Sequence, residues 1–103
     1  MHDLDAFNEQ DVRREKEKAR RSRKSAWWMR KVDKGVCHYC NREVGRTKLT
    51  MDHVVPLSRG GKSRKGNIVP ACKECNNKKK SMLPIEWDEY LETLAERSGL
   101  TQK

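Results

Sequence analysis

Four cysteines stand in two Cys-x-x-Cys pairs, Cys37 with Cys40 and Cys72 with Cys75, and 31 residues separate the pairs. Each such knuckle turns the chain so that two thiolates face one ion, and two knuckles complete the tetrahedron that zinc prefers. Soft thiolates select zinc over magnesium or calcium, which favour oxygen. Four sulfurs also close the coordination shell, so the expected site is structural and holds one Zn²⁺. The separation exceeds that of a compact zinc ribbon, so a substantial segment is inserted between the halves. Two disulfides in a secreted mini-protein are the competing explanation. The N-terminal residues MHDLDAFNEQ lack the apolar stretch of a secretory signal, which favours a reducing, cytoplasmic setting and metal ligation. His2 and His38 are possible ligands that the four cysteines make unnecessary.

The inserted segment includes MDHVVPLSRGGKSRKGNIVP, and Asn76 and Asn77 follow the last cysteine. An Asp-His dipeptide alone is common, and a lone histidine is more often structural. Here an acidic residue beside a histidine, two further asparagines and a basic Gly-rich loop all hang on a zinc staple. That combination is far more specific than any one of its parts.

From Cys37 to Lys80 the sequence resembles the HNH (His-Asn-His, ββα-metal) nucleases, as a small stand-alone member. The family pattern runs knuckle, Asp-His-x-x-Pro-Leu, Gly-Gly, Asn, then Cys-x-x-Cys followed by His or Asn and a nearby Lys. This chain supplies Asp52-His53-Val54-Val55-Pro56-Leu57, Gly60-Gly61, Asn67, Cys72, Cys75, Asn76 and Lys79. Asn76 stands where the third letter of the name has His. The resemblance implies a DNA endonuclease with His53 as general base, an imidazole whose ordinary pKa of about 6.5 suits that task. Asp52 and Asn76 would hold one divalent cation through oxygen, which favours Mg²⁺ or Mn²⁺. Asn77 is the alternative ligand if the helix register differs by one. Asn67 would pin the loop and orient the His53 region. In a regular strand Asp52 and His53 face opposite sides, so a local twist is expected to bring them to one site. Arg59, Lys62, Arg64, Lys65, Lys78 and Lys79 flank the site and suit phosphate contacts, which give affinity without sequence information. A single site of this type nicks one strand at a time. Two other readings stay open: a non-catalytic zinc module that holds nucleic acid, and an RNA-directed nuclease.

These residues must be positioned by a chain of 103 residues with 34% hydrophobic and 38% charged content. That permits one domain with a modest core and calls for a staple. A net charge of +9 and a pI near 9.7 favour a polyanionic partner, DNA by default. No apolar run suits a membrane, and a monomer is favoured. Three regions are expected: a basic helical extension over 1–35, the nuclease core over 36–81, and a C-terminal helix over 82–103. The charge-dense stretch 11–34 has no Pro or Gly and reads as one long helix ended by Gly35, docked only through its last turns. Residues 47–55 suggest a short hairpin, and 67–81 suit a helix. Pro84 opens a helix whose Trp87, Tyr90, Leu91 and Leu94 form one stripe, with Trp87 and Leu91 on the core and Gly99 at its end. The class is α+β: a ββα-metal (HNH) core stapled by a four-cysteine zinc site, with flanking N- and C-terminal helices.

Overall fold

The computed structural model describes residues 8–98. In chain order these form α1 (Glu9–Ser22), α2 (Ala26–Asp33), β1 (Leu49–His53), β2 (Ile68–Cys72), α3 (Lys73–Lys79) and α4 (Pro84–Ser98). The class is α+β as expected, and β1, β2 and α3 make up a ββα unit. Gly99 lies outside the described residues.

The basic stretch expected as one helix is two. α1 begins at the Asn8 cap, whose side chain accepts from the Asp11 N–H at 2.8 Å. It ends at Ser22, and Ser25 then starts α2. The Ser25 hydroxyl accepts from the Trp28 N–H at 3.1 Å and donates to the Ser22 carbonyl at 2.7 Å. Serine competes for nearby backbone groups in this way, which makes it a good cap and a poor helix interior. Gly35, at φ +71°, follows the end of α2. Nor is the segment docked only through its last turns. Glu15 and Ala19 of α1 are buried, as are Trp28 and Val32 of α2.

The expected hairpin within 47–55 is also corrected. β1 pairs antiparallel with β2, from Leu49 opposite Cys72 to His53 opposite Ile68, across the intervening loop 54–67. Residues 68–72, assigned to a helix-compatible stretch, are therefore a strand. All five are buried, a continuous apolar run with no polar face to turn toward water. Pro70 is tolerated because a two-stranded ribbon leaves β2 an edge that needs no ladder donor. Its carbonyl accepts from the His38 N–H at 2.8 Å, which ties the first knuckle to the ribbon.

Two small apolar clusters hold these parts together. Cys37, Ala71, Cys72 and Cys75 form one, with Tyr39 and Val44 against it. Trp28, Val32 and Ile68 form the other, with Met51 beside it, and Leu49 touches both. α4 opens at Pro84 as expected and buries Trp87, whose ring meets Tyr39 edge-on at 5.6 Å. Leu91, expected beside it on the core, is 40% exposed instead. The Gly-Gly pair shapes the loop after β1. Gly60 has φ +93°, and a Cβ on Gly61 would lie 1.8 Å from the Val55 carbonyl oxygen.

Candidate metal centre and active site

The four cysteine sulfurs lie within 4.8 Å of one another, with Cys40 and Cys72 at 3.9 Å. A tetrahedral site with metal–sulfur bonds of about 2.3 Å has sulfurs about 3.8 Å apart, so this cluster is arranged to hold a metal ion. Donors already point at the sulfurs. The Tyr39 N–H reaches Cys37 Sγ at 3.3 Å, and Arg42 Nε reaches Cys40 Sγ at 3.2 Å. Arg42 also approaches Cys72 Sγ at 3.6 Å and pairs with Glu74 at 2.6 Å. Burial pushes the Cys40 thiol up, but its hydrogen bonds, first those from Arg42, outweigh this and bring it down to about 6. The thiolate is the ligating form, so a guanidinium clamp suits the centre. Arg42 drew no notice in the sequence, where it is one of many basic residues. His38 is exposed, and His2 lies outside the described residues.

Asp52 and His53 close β1 and are held by different partners. Asp52 is 7% exposed and lies toward α3. Its Oδ2 accepts from the Tyr39 hydroxyl at 2.5 Å and pairs with Lys79 Nζ at 3.3 Å. Burial and then the bond to Asp52 push the Tyr39 hydroxyl up, so it stays a donor. On the same face, Asn76 Nδ2 donates to Thr50 Oγ1 at 2.7 Å, and that hydroxyl donates to the Ala71 carbonyl at 2.9 Å. Among the described residues, no hydrogen bond falls on Asp52 Oδ1 or Asn76 Oδ1. Each side chain thus has one oxygen that accepts no hydrogen bond.

His53 meets the loop that follows β1. Its Nε2 lies 2.9 Å from Ser63 Oγ. Burial is the main influence holding the imidazole below its usual 6.5; Arg23 and Lys79 add to it while Asp52 and Glu15 oppose it. Asn67 staples the loop beside it with both ends of its amide. Oδ1 accepts from the Val55 N–H at 2.8 Å, and Nδ2 donates to the Val55 carbonyl at 3.0 Å and the Lys62 carbonyl at 2.9 Å.

The basic residues divide. Lys62, Arg64 and Lys65 lie on the loop, with Lys65 Nζ over the Trp27 ring at 5.7 Å. Lys78 is exposed on α3 and pairs with Glu74 at 3.2 Å. Arg59 bridges Glu86 of α4 with both guanidinium nitrogens, at 3.1 and 3.2 Å, so its fork is already engaged. Lys79, expected to contact phosphate, is wholly buried against Asp52 and the His53 carbonyl and cannot reach a backbone outside. Sequence reasoning missed Tyr39, Ser63 and Glu15, which carry no local signal.

A two-stranded ribbon ending in Asp-His, a following helix and a four-cysteine centre together define a ββα-metal fold. Residues 37–82 match the HNH endonuclease family. The chain is 34% identical over 53 residues to the CRISPR-associated endonuclease Cas9 of Actinomyces naeslundii, a match covering 50% of this chain and 5% of that one. It is 33% identical over 55 residues to the type IV methyl-directed restriction enzyme EcoKMcrA of Escherichia coli, covering 48% of this chain and 20% of the relative. The chain thus spans a small part of either relative's length. Among the described residues, no helix is long and apolar enough to cross a membrane.

Proposed function

We propose that this chain is a metal-dependent endonuclease that hydrolyses phosphodiester bonds in DNA, nicking one strand per site with little sequence preference. The observation that carries the proposal is that Asp52 and His53 on β1, Asn76 on α3 and Asn67 on the joining loop all lie within a segment that matches the HNH endonuclease family. Both named relatives are nucleases by description, an endonuclease and a restriction enzyme.

In this reading His53 takes the proton of the attacking water, a role favoured by an imidazole that burial keeps neutral at pH 7. Asp52 Oδ1 and Asn76 Oδ1 would hold one Mg²⁺ or Mn²⁺. Such an ion supplies charge stabilisation at the phosphate and the departing oxygen. Lys79 fixes the Asp52 carboxylate from below through Oδ2. Asn67 keeps the loop in register with β1, so that His53 stays in place. Lys62, Arg64, Lys65 and Lys78 contact phosphates on either side. The four cysteines hold a structural Zn²⁺ and take no part in the chemistry.

The test is conversion of supercoiled plasmid by the zinc-loaded chain with Mg²⁺ or Mn²⁺, beside His53→Ala. Open circles that need the divalent ion and vanish in the variant are the expected result, and an early linear product would indicate paired sites. Absence of cleavage on plasmid, single-stranded DNA and RNA would leave a zinc-binding module. Cleavage of RNA in preference to DNA would move the reading to an RNA-directed nuclease.

A further inference from the structure

The groove between α4 and the first knuckle is partly apolar, yet nothing in the structure shows what covers it. Trp27 with Lys31 and Lys65 over its ring makes a basic aromatic patch, which adds to the phosphate-binding character already assigned. The contact of α1 with Ser63, which in turn meets His53, carries further.

Ser63 Oγ touches two groups. It lies 2.6 Å from the Glu15 main-chain carbonyl oxygen and 2.9 Å from His53 Nε2. A hydroxyl has one proton to donate. The carbonyl can only accept, and it is the shorter contact, so the Ser63 proton belongs to the Glu15 carbonyl. The hydroxyl oxygen is then left as an acceptor, and Nε2 must carry the proton that completes the second bond. A neutral imidazole protonated at Nε2 has its lone pair at Nδ1. Ser63 is itself held on its other side, because its N–H donates to Glu15 Oε1 at 2.6 Å. The second carboxylate oxygen of Glu15 pairs with Lys18 Nζ at 3.2 Å. Glu15 therefore grips Ser63 from both its main chain and its side chain.

We infer that Ser63, held by Glu15 of α1, is a positioning residue that fixes His53 as the Nε2–H tautomer and presents Nδ1 as the basic nitrogen. The inference rests on the nuclease reading for its catalytic consequence, but not for the tautomer itself. It makes α1, which lies outside the segment matched to the family, a working part of the site. Asn67 and Ser63 then divide the labour: one sets the loop against the strand, the other sets the ring within it.

Nitrogen-15 NMR of the histidine rings in the full zinc-loaded chain, at a pH where His53 is neutral, reads the tautomer directly. The wild type should show Nε2 bonded to hydrogen and Nδ1 bare. Ser63→Ala should mix the two forms, and Ser63→Thr should restore the wild-type pattern. In the plasmid assay Ser63→Ala should lower kcat about 10- to 100-fold with KM little changed, and Ser63→Thr should recover most of it. Glu15→Ala, which loosens Ser63 without touching the ring, should move both readouts in the same direction by less. A wild-type Nδ1–H tautomer overturns the inference, as does a tautomer indifferent to Ser63→Ala. Normal cleavage by a folded Ser63→Ala chain overturns its catalytic half alone. A wild type with the expected tautomer that cuts nothing supports the positioning and removes the nuclease reading instead.

Discussion

Lys79 and Asp52 meet at 3.3 Å with 0% and 9% of their side chains exposed, so each charge depends on the other for solvation. Removing one partner of such a pair costs about 3–5 kcal/mol, because the remaining charge stays buried and unpaired. Lys79→Met should therefore lower stability by roughly that amount in urea melts of the zinc-loaded protein. Adding Asp52→Asn should recover much of the loss; a double variant no better than the single would show that Lys79 acts through packing alone. The Gly-Gly pair makes a second residue-scale case. Gly61→Ala drives a methyl to within 1.8 Å of the Val55 oxygen, whereas nothing lies within 4 Å of a Cβ at Gly66. The first substitution should cost about 1–3 kcal/mol and displace the loop, while Gly66→Ala serves as the control with little effect. Gly60 and Gly61 were legible in the sequence as a motif. Their reasons were not, because one is a dihedral angle and the other is the approach of the Val55 carbonyl across an irregular loop.

At the scale of elements, the sequence yielded the knuckles, the start of α4 and the class of the fold, because each has a local signature: cysteine spacing, a proline at a helix start, an apolar stripe. It did not yield β2, since an apolar run of five residues reads alike in a short buried strand and in a helix turn. Nor did it yield the break at Ser25, where a single hydroxyl decides between one helix and two. Ser25→Ala should lower stability by about 1 kcal/mol in thermal melts, the ordinary cost of a lost cap. The docking of α1 was hidden for a different reason, being made by a buried carboxylate in a run of charges that resembles a solvated face. The Glu15 carboxyl sits below its ordinary 4.5, chiefly through the Ser63 N–H, with Lys18 assisting against the cost of burial. A group whose folded pKa is depressed contributes its full stability above the unfolded value and loses it as pH falls through the folded one. Hydrogen exchange in α1 should thus accelerate as pH drops below 4.5, after correction for intrinsic rates, and Glu15→Gln should flatten that dependence. An α1 equally protected at about pH 3 and about pH 6 in the wild type would mean that apolar packing at Ala19 and the α2 contacts hold it instead.

The described residues form a thin body, 45 × 38 × 18 Å, and a body of that shape has little interior. Among the described residues, most of the buried apolar ones fall into two clusters, one made largely of the four cysteines themselves. Leu49 belongs to the fringe of both, and β2 runs between them from Ile68 to Cys72, so neither cluster is independent of the other. If the four cysteines hold a zinc ion, its removal leaves buried thiolates that repel one another and withdraws the link between first knuckle and ribbon. Little remaining burial offsets the entropy of the freed chain. In small domains of this kind, metal binding and folding share one free energy. Chelation of the purified protein should therefore release one metal ion per chain and, with it, both the order of the ββα unit and the burial of Trp28 and Trp87. The signals to follow are far-ultraviolet circular dichroism and tryptophan emission, with metal release tracked by a chromogenic indicator. All three should move together and return together when Zn²⁺ is restored under reducing conditions. Metal loss that left emission and dichroism unchanged would mean that the two clusters suffice without the ion, and that the cysteines serve some purpose other than holding the fold.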